Sequence, residues 1–177
     1  MSKQPIIRPI TDNDIKAVTD IYAYYAENKE VTFEWEAPTL AEMQARAQAV
    51  RQLGYPYLVI EEDGKVVGYA YVAPFRGRIG WKWTVEVSIY LAPDMGHQGY
   101  GSLLLNALIK ACEKTTDIRM LVSTIASNGI ASIRLHQKAG FRIIGTMLDA
   151  GYKFGEWHDI VFMQKSIGEG TNSVKKI

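Results

Sequence analysis

Apolar residues recur along the chain at two spacings, one typical of helices and one typical of strands. Apolar positions three or four residues apart predict helices in four segments, at 15–25, 40–50, 103–111 and 130–139. Short β-rich runs predict strands in seven segments, at 6–10, 57–60, 65–72, 83–91, 120–125, 141–148 and 160–164. The resulting order, β-α-α-β-β-β-α-β-α-β-β, predicts an α/β domain with a mixed central sheet flanked by helices.

Local signals at the ends of these elements agree with the periodicity. Residues Thr11–Asp14 supply capping side chains and negative charge, so the first helix is predicted to start there. The segment Thr39–Glu42 is a capping box ahead of the second helix. Asp63-Gly64 predicts a hairpin turn between the second and third strands. No repeat or linker interrupts the pattern, so we predict a single domain over 1–177 with a polar tail from about residue 168.

Composition narrows the class of protein. Of the 177 residues, 47% are hydrophobic and 22% are charged, which is typical of a folded globular protein. Lysine and arginine together number 20 against 19 acidic residues, for a formal net charge of +1. Binding to a nucleic-acid backbone requires clustered basic residues, so nucleic acid is not an expected partner.

The single cysteine and the absence of long apolar runs bear on location. Cys112 cannot form an intrachain disulfide, so a reducing cytoplasm is expected. Its apolar neighbours in the predicted helix indicate a small core residue rather than a nucleophile. No apolar run is long enough for a signal peptide or a membrane span, and we expect neither.

A glycine-rich segment joins the fourth predicted strand to the third predicted helix. It consists of Gly96, His97, Gln98, Gly99, Tyr100, Gly101 and Ser102. Unpaired amide N–H groups at a helix start carry the positive end of the helix dipole, so this turn can hold a pyrophosphate; the glycines alone fit an ordinary turn equally well. The Lys-Ser or Lys-Thr pair of an ATP-binding loop is missing, and the preceding strand does not open a βαβ unit as an NAD-binding fingerprint requires. Neither ATP nor NAD is expected.

One acidic residue, Glu86, lies within the otherwise apolar strand at 83–91. An unpaired carboxylate among apolar neighbours is costly, so this residue needs a structural or chemical reason. A solvated strand face and a salt bridge to Arg76 or Arg78 are the structural alternatives.

Several separated segments resemble known acetyltransferases. The stretch 128–141, together with the element order and the glycine loop, resembles the GNAT superfamily of acetyl-CoA-dependent N-acetyltransferases. Segments 75–78, 83–90 and 151–162 resemble the phosphinothricin and methionine sulfoximine acetyltransferase branch of that superfamily. The resemblance spans roughly residues 5–166 and implies the GNAT fold, with acetyl-CoA as cosubstrate and direct acetyl transfer to an amine.

The resemblance also implies how acetyl-CoA is held. Strands 4 and 5 are expected to splay apart, so that backbone groups at Ser88, Ile89 and Tyr90 pair with the pantetheine arm and polarise the thioester oxygen. Asn128 is expected to reach the same arm from the next strand. Gly96 stands where the superfamily usually has arginine or glutamine, so a less rigid loop is expected, without loss of the cosubstrate.

Two side chains are implied in proton transfer. Glu86 matches the glutamate that takes a proton from the substrate ammonium, directly or through water. His136 stands where many superfamily members have a tyrosine that protonates the departing thiolate, and imidazole titrates near neutrality. A buried helix histidine bonded to a backbone carbonyl is an equal alternative for His136. For Lys138, a surface position is expected rather than contact with a cosubstrate phosphate.

The substrate is expected to be a free amino acid analogue such as phosphinothricin, methionine sulfoximine or methionine sulfone. Guanidinium groups bind carboxylates bidentately, so substrate binding is assigned to Arg76 and Arg78, with solvated hairpin charges as the alternative. Aromatic residues are expected to complete the pocket: Phe33 and Trp83, with Trp35 and Trp81. Competing functions are acetylation of a peptide N-terminus, polyamine or aminoglycoside, a non-catalytic acyl-CoA-binding module, and a nucleotide-binding regulator.

The late segment with Lys153, Trp157, His158 and Asp159 is interpreted as pocket rim or subunit contact. Its spacing does not fit zinc, and no metal is expected. The resemblance implies a homodimer with the site near the subunit interface.

Overall fold

The computed structural model describes residues 4–96, 98–115 and 117–169. These residues form seven strands and four α-helices in the predicted order: β1 (Ile6–Pro9), α1 (Ile15–Asn28), α2 (Leu40–Gln52), β2 (Tyr57–Glu62), β3 (Lys65–Pro74), β4 (Thr84–Leu91), α3 (Tyr100–Glu113), β5 (Met120–Ala126), α4 (Ile130–Lys138), β6 (Arg142–Lys153) and β7 (Glu156–Ser166). Short 3₁₀ turns cover Asp12–Asp14 and Ile79–Trp81.

The strands make one mixed sheet in the order β1-β2-β3-β4-β5-β7-β6. Strands β4 and β5 are parallel, and the other neighbouring strands are antiparallel. Helix α3 is the crossover connection that parallel neighbours require. The predicted mixed α/β architecture is confirmed.

Strands β4 and β5 pair only at their beginnings. Their register runs from Thr84 opposite Met120 to Glu86 opposite Val122. Beyond that point β4 continues to pair with β3, and β5 continues to pair with β7. The sheet therefore forks, as the resemblance implied, and the fork opens beside Glu86.

The two faces of the sheet carry different cores. Helix α3 packs on one face against aliphatic strand residues such as Val85 and Leu121. Helices α1 and α2 pack on the other face, where tyrosines dominate: Tyr22, Tyr57, Tyr69, Tyr71 and Tyr90. Alternation along β4 sends Val85 and Val87 to the first face and Glu86, Ser88 and Tyr90 to the second.

The first helix begins later than the capping signal predicts. Residues Asp12–Asp14 form the 3₁₀ turn, and α1 starts at Ile15. The Asp14 carboxylate accepts hydrogen bonds from the Thr11 backbone at 2.8 Å and from Arg8 at 2.7 Å. These bonds hold the tight turn. The second predicted start is confirmed, with Thr39 and Glu42 bonding reciprocally as a capping box.

The last hairpin is longer than predicted. Strands β6 and β7 extend five and four residues closer to the turn than the expected 141–148 and 160–164. Phe154 and Gly155, with φ of 53° and 82°, form the turn. The register slips between Met147 and Gly151, where Asp149 has φ of 47° and bonds Asp159. Because the bulge interrupts the strand pattern, the sequence did not predict that β6 continues beyond residue 148.

Most of the predicted polar tail lies outside the described residues. Among the helices of the described ranges, none is both long and apolar enough to cross a membrane.

Candidate active site

A cavity of about 1150 Å³ lies along the fork between β4 and β5. Its walls come from the diverging strands, the starts of α3 and α4, and the segment 29–34, which we call the acceptor loop. The cavity thus reaches from the glycine-rich turn to the Glu86 side of the sheet.

The glycine-rich turn contributes part of the predicted set. Gly96, Gly99, Gly101 and Ser102 line the cavity. Gly99, the residue before α3, has φ of 80° and no side-chain cap, so the first amides of α3 remain available to a ligand. His97 lies outside the described residues.

Two residues of the turn are directed elsewhere. Gln98 donates to the Met95 sulfur at 3.7 Å. Tyr100 is buried and its hydroxyl bonds Glu62. Neither side chain is among those lining the cavity.

The predicted strand residues come together here. Ser88, Ile89 and Tyr90 line the cavity from β4, and Asn128 lines it from the loop after β5. In the described chain, the β4 backbone facing away from β3 has no strand partner beyond Glu86. These groups can serve a bound pantetheine arm.

Glu86 is half-buried on the tyrosine face and lines the cavity. The Thr124 hydroxyl, on β5, donates to Glu86 Oε1 across the fork. The ion pairs of the described residues include none between Glu86 and Arg76 or Arg78. A hydroxyl partner leaves the carboxylate without a neutralising cation.

His136 lines the cavity but is only 2% exposed. Its Nδ1 lies 2.9 Å from the Ser132 carbonyl, which can only accept a hydrogen bond, so Nδ1 donates. Burial lowers the pKa of His136, and the bond to Ser132 partly offsets this. The neutral ring then carries no proton on Nε2, for which the described residues provide no partner. This geometry favours the buried-histidine alternative.

Five of the six predicted substrate residues lie outside the cavity: Trp35, Arg76, Arg78, Trp81 and Trp83. Arg76 and Arg78 are exposed in the β3–β4 connection, where Arg76 lies 5.3 Å from the Phe75 ring centre. Trp83 is half-buried beneath Lys82. Phe33 does line the cavity. The single chain therefore does not bring the two arginines into the cavity with Glu86.

The cavity contains basic groups that the sequence reasoning missed or set aside. The Arg46 guanidinium, on α2, donates two hydrogen bonds to the Glu34 carboxylate, at 2.6 and 3.1 Å. Arg134 and Lys138 line the opposite end from α4. Arg46 lies at the edge of the apolar stripe of α2 and belongs to no motif, so it was not among the predicted site residues. The only sequence signal for a role of Arg46 was that apolar residues flank it, which is also true of many surface arginines.

A hydrogen-bond chain joins Arg46 to the tyrosine face. Tyr22 donates to Glu34 at 2.9 Å and shares a 2.7 Å hydrogen bond with Thr32. Burial and the Glu34 carboxylate raise the pKa of Tyr22 to about 12. Tyr22 is therefore a neutral donor that holds the acceptor loop.

The late polar segment does not line the cavity. Trp157 is exposed, whereas Lys153 is buried. Among the described residues, no cluster of histidine, cysteine and acidic side chains could hold a metal. Burial raises the pKa of Cys112 to about 12, as fits its expected place in the core.

Comparisons with known proteins agree with this geometry. A family model described as an acetyltransferase (GNAT) domain matches residues 7–162. A phosphinothricin N-acetyltransferase of Alcaligenes faecalis is 39% identical, over 95% of this chain and 85% of its own. An L-methionine sulfoximine/L-methionine sulfone acetyltransferase of Salmonella typhimurium is 36% identical, over 88% and 91% respectively.

Solved structures show the same fold. A phosphinothricin acetyltransferase from Sinorhizobium meliloti in complex with acetyl-CoA has a TM-score of 0.94 and 36% identity, covering 98% of this chain and 94% of that one. A putative acetyltransferase from Salmonella typhimurium with acetyl-CoA also has a TM-score of 0.94, at 33% identity, covering 98% and 99%. The forked sheet, the match over most of the chain and these relatives lead to one conclusion: the chain belongs to the GNAT acetyltransferase family and is an N-acetyltransferase that uses acetyl-CoA.

Proposed function

We propose that this enzyme acetylates the α-amine of a small amino acid analogue of the phosphinothricin, methionine sulfoximine or methionine sulfone type. The observation that carries the proposal is the position of Glu86, a carboxylate without a cationic partner in the described residues, at the mouth of the β4–β5 fork. The relatives named for these substrates supply the acceptor class.

Glu86 is the proposed general base. The acceptor ammonium gives one proton to Glu86, and the neutral nitrogen forms a bond to the thioester carbonyl carbon. The carbon–sulfur bond then breaks, and the excess proton left on the nitrogen passes to the departing thiolate, so coenzyme A leaves as the thiol. Thr124 holds Oε1, so we assign Oε2 to the ammonium proton. Free amides of β4 near Ser88 and Ile89 would stabilise the negative charge that develops on the carbonyl oxygen.

The turn at Gly96–Ser102 is the proposed pyrophosphate site, and Asn128 the proposed pantetheine contact. Cavity-lining Arg134 and Lys138 place positive charge near that end. Lys138 is exposed at the end of α4, as expected for a surface lysine, and it also lines the cavity.

His136 is the weaker of the two proposed catalytic residues. A general acid must carry a proton, and the hydrogen bond to Ser132 leaves Nε2 without one in the neutral ring. Replacing His136 with Gln separates the roles: loss of kcat with an unchanged melting temperature supports an acid, and loss of stability with unchanged kcat supports a core histidine.

A homodimer is proposed to complete the acceptor side. Edge strand β6 exposes a run of apolar side chains: Ile143, Ile144, Met147 and Leu148. Such an edge is usually covered. In such a dimer, the loop with Arg76 and Arg78 would contact the partner subunit. Sedimentation at two concentrations tests this, and a monomer at both would contradict it.

A thiol-release panel tests the proposed function. Acetyl-CoA is supplied with phosphinothricin, methionine sulfoximine, methionine sulfone, a polyamine, an aminoglycoside or an N-terminal peptide. The three amino acid analogues should release thiol with the highest kcat/KM. Preference for a polyamine or peptide would overturn the substrate class, and no release with any acceptor would favour a non-catalytic binding module. A cytoplasmic enzyme of this kind would also confer resistance to phosphinothricin, which a growth assay measures.

A further inference from the structure

A buried ammonium group lies outside the machinery described so far. Lys153, the last residue of β6, is only 2% exposed. Its Nζ donates to three backbone carbonyls, Ala26 at 2.7 Å, Lys29 at 2.8 Å and Thr32 at 2.7 Å. Three acceptors satisfy all three ammonium protons. The ion pairs of the described residues include none with a carboxylate at this lysine.

These carbonyls mark the point where α1 ends and the acceptor loop begins. Ala26 lies in the last turn of α1, where carbonyls lack helical partners and the dipole is negative. Lys29 is the first residue after the helix, and Thr32 is in the middle of the acceptor loop. One side chain, 121 to 127 residues away in sequence, therefore ties the loop to the helix end.

The same hairpin holds the loop at two further points. Phe33 packs so closely on Gly151 that a Cβ there would lie 2.3 Å from the ring. The Trp35 indole donates to the Tyr152 carbonyl at 3.1 Å. Three successive hairpin residues thus contact the acceptor loop or the residue just beyond it.

The opposite side of the loop faces the proposed acceptor end of the cavity. All residues from Lys29 to Glu34 line the cavity. Thr32 and Glu34 reach Tyr22 by hydrogen bonds. Burial raises the pKa of nearby Tyr71, and the Glu86 and Glu34 carboxylates raise it further. The acceptor loop therefore lies on the Glu86 side of the cavity. The glycine-rich turn and β4, which supply the proposed cosubstrate contacts, are separate segments of the chain.

We propose that Lys153 is a positioning residue for acceptor selection: through its three carbonyl contacts, the β6–β7 hairpin sets the position of the acceptor loop, and hence the size of the acceptor end. The inference rests on the proposed function, because it needs acceptor amines to be delivered to Glu86. The cosubstrate contacts should not depend on it.

Replacing the ammonium is the direct test. Lys153→Met keeps much of the chain length and removes all three donors, leaving the loop carbonyls unpaired. We expect KM for the preferred amino acid analogue to rise at least tenfold, with KM for acetyl-CoA changed less than twofold, and discrimination among the panel acceptors to weaken. The matched control is Lys65→Met, an exposed lysine at the start of β3, which should change neither constant.

A second variant guards against a folding failure. Gly151→Ala leaves Lys153 intact and forces Phe33 away from the hairpin. It should raise the acceptor KM selectively, as Lys153→Met does. Equal rises in both KM values, or an unchanged acceptor KM in both folded variants, would overturn the inference. A wild type that releases no thiol with any acceptor would instead refute the proposed function, so the two failures are distinguishable.

Discussion

The two ends of the cavity are built from different parts of the protein. The proposed acetyl-CoA end consists mainly of backbone: the fork of β4 and β5, the glycine-rich turn and the first amides of α3. The proposed acceptor end consists of side chains from distant segments, including Tyr22 and Arg46, and the buried Lys153 holds its loop from outside the cavity. A backbone site accepts the same coenzyme whatever side chains surround it. A side-chain site can change its substrate through single replacements.

The largest expected effect lies where the two ends meet. Glu86→Gln keeps the shape and the hydrogen bond from Thr124 but removes the base, so kcat should fall by about 10²- to 10⁴-fold. Acetyl-CoA binding, measured by calorimetry, should stay within twofold. Exposed Glu27→Gln on α1 is the control. Full activity in the glutamine variant would remove Glu86 from the mechanism.

Helix α1, which supplies Tyr22 and Tyr25 to the cavity, is anchored at its start by Asp14. Arg8 lowers the pKa of Asp14 to about 2, against about 3.9 in an unfolded chain. A depressed pKa stabilises the fold above about pH 4, and this contribution is lost as the pH falls through about 2. Urea unfolding should show that Asp14→Asn costs about 2 kcal/mol at pH 7 and about half of that at pH 3.

The control for Asp14 lies on α1, the helix that follows the Asp14 turn. Asp20→Asn removes an exposed pair with Lys16 and should cost less than about 0.5 kcal/mol. A cost at Asp14 that does not vary with pH would show that its ion pair with Arg8 is not the source.

Arg46 distinguishes the acceptor end from the cosubstrate end. Arg46→Met releases Glu34 from its bidentate partner, so KM for the acceptor should rise about tenfold while KM for acetyl-CoA stays constant. Arg51→Met removes a pair with Asp12 from the same helix, outside the cavity. If both variants behave alike, the effect belongs to α2 and not to the cavity.

Replacing Gly99 has the smallest expected effect and tests the proposed acetyl-CoA end of the cavity. Gly99→Ala places a Cβ at φ of 80°, a strain of about 1 kcal/mol, and should raise KM for acetyl-CoA about fivefold without changing that for the acceptor. Gly54→Ala has the same kind of strain, at φ of 70° beyond α2. It should lower the melting temperature similarly and leave both KM values unchanged.

The same contrast explains how far the sequence could be interpreted. Periodicity and turn chemistry predicted the order of elements, the turn at Gly99 and the position of Glu86, because these depend on neighbours within a few residues. Arg46 and Lys153 gain their roles from contacts made 12 and more than 120 residues away. Arg76 and Arg78 were assigned to the pocket because guanidinium groups bind carboxylates, but they are exposed in the β3–β4 connection, outside the cavity.

The fork has a mechanical consequence. Within the described part of the chain, strands β1–β4 form one block of the sheet and strands β5–β7 form another. The blocks are joined by three paired positions, from Thr84–Met120 to Glu86–Val122, and by backbone bonds from Arg119 and Met120 to the Trp83 carbonyl. A coenzyme arm lying in the gap would contact both blocks and link them. Saturating coenzyme should therefore make the two blocks unfold as one unit and should slow amide exchange on both sides of the gap.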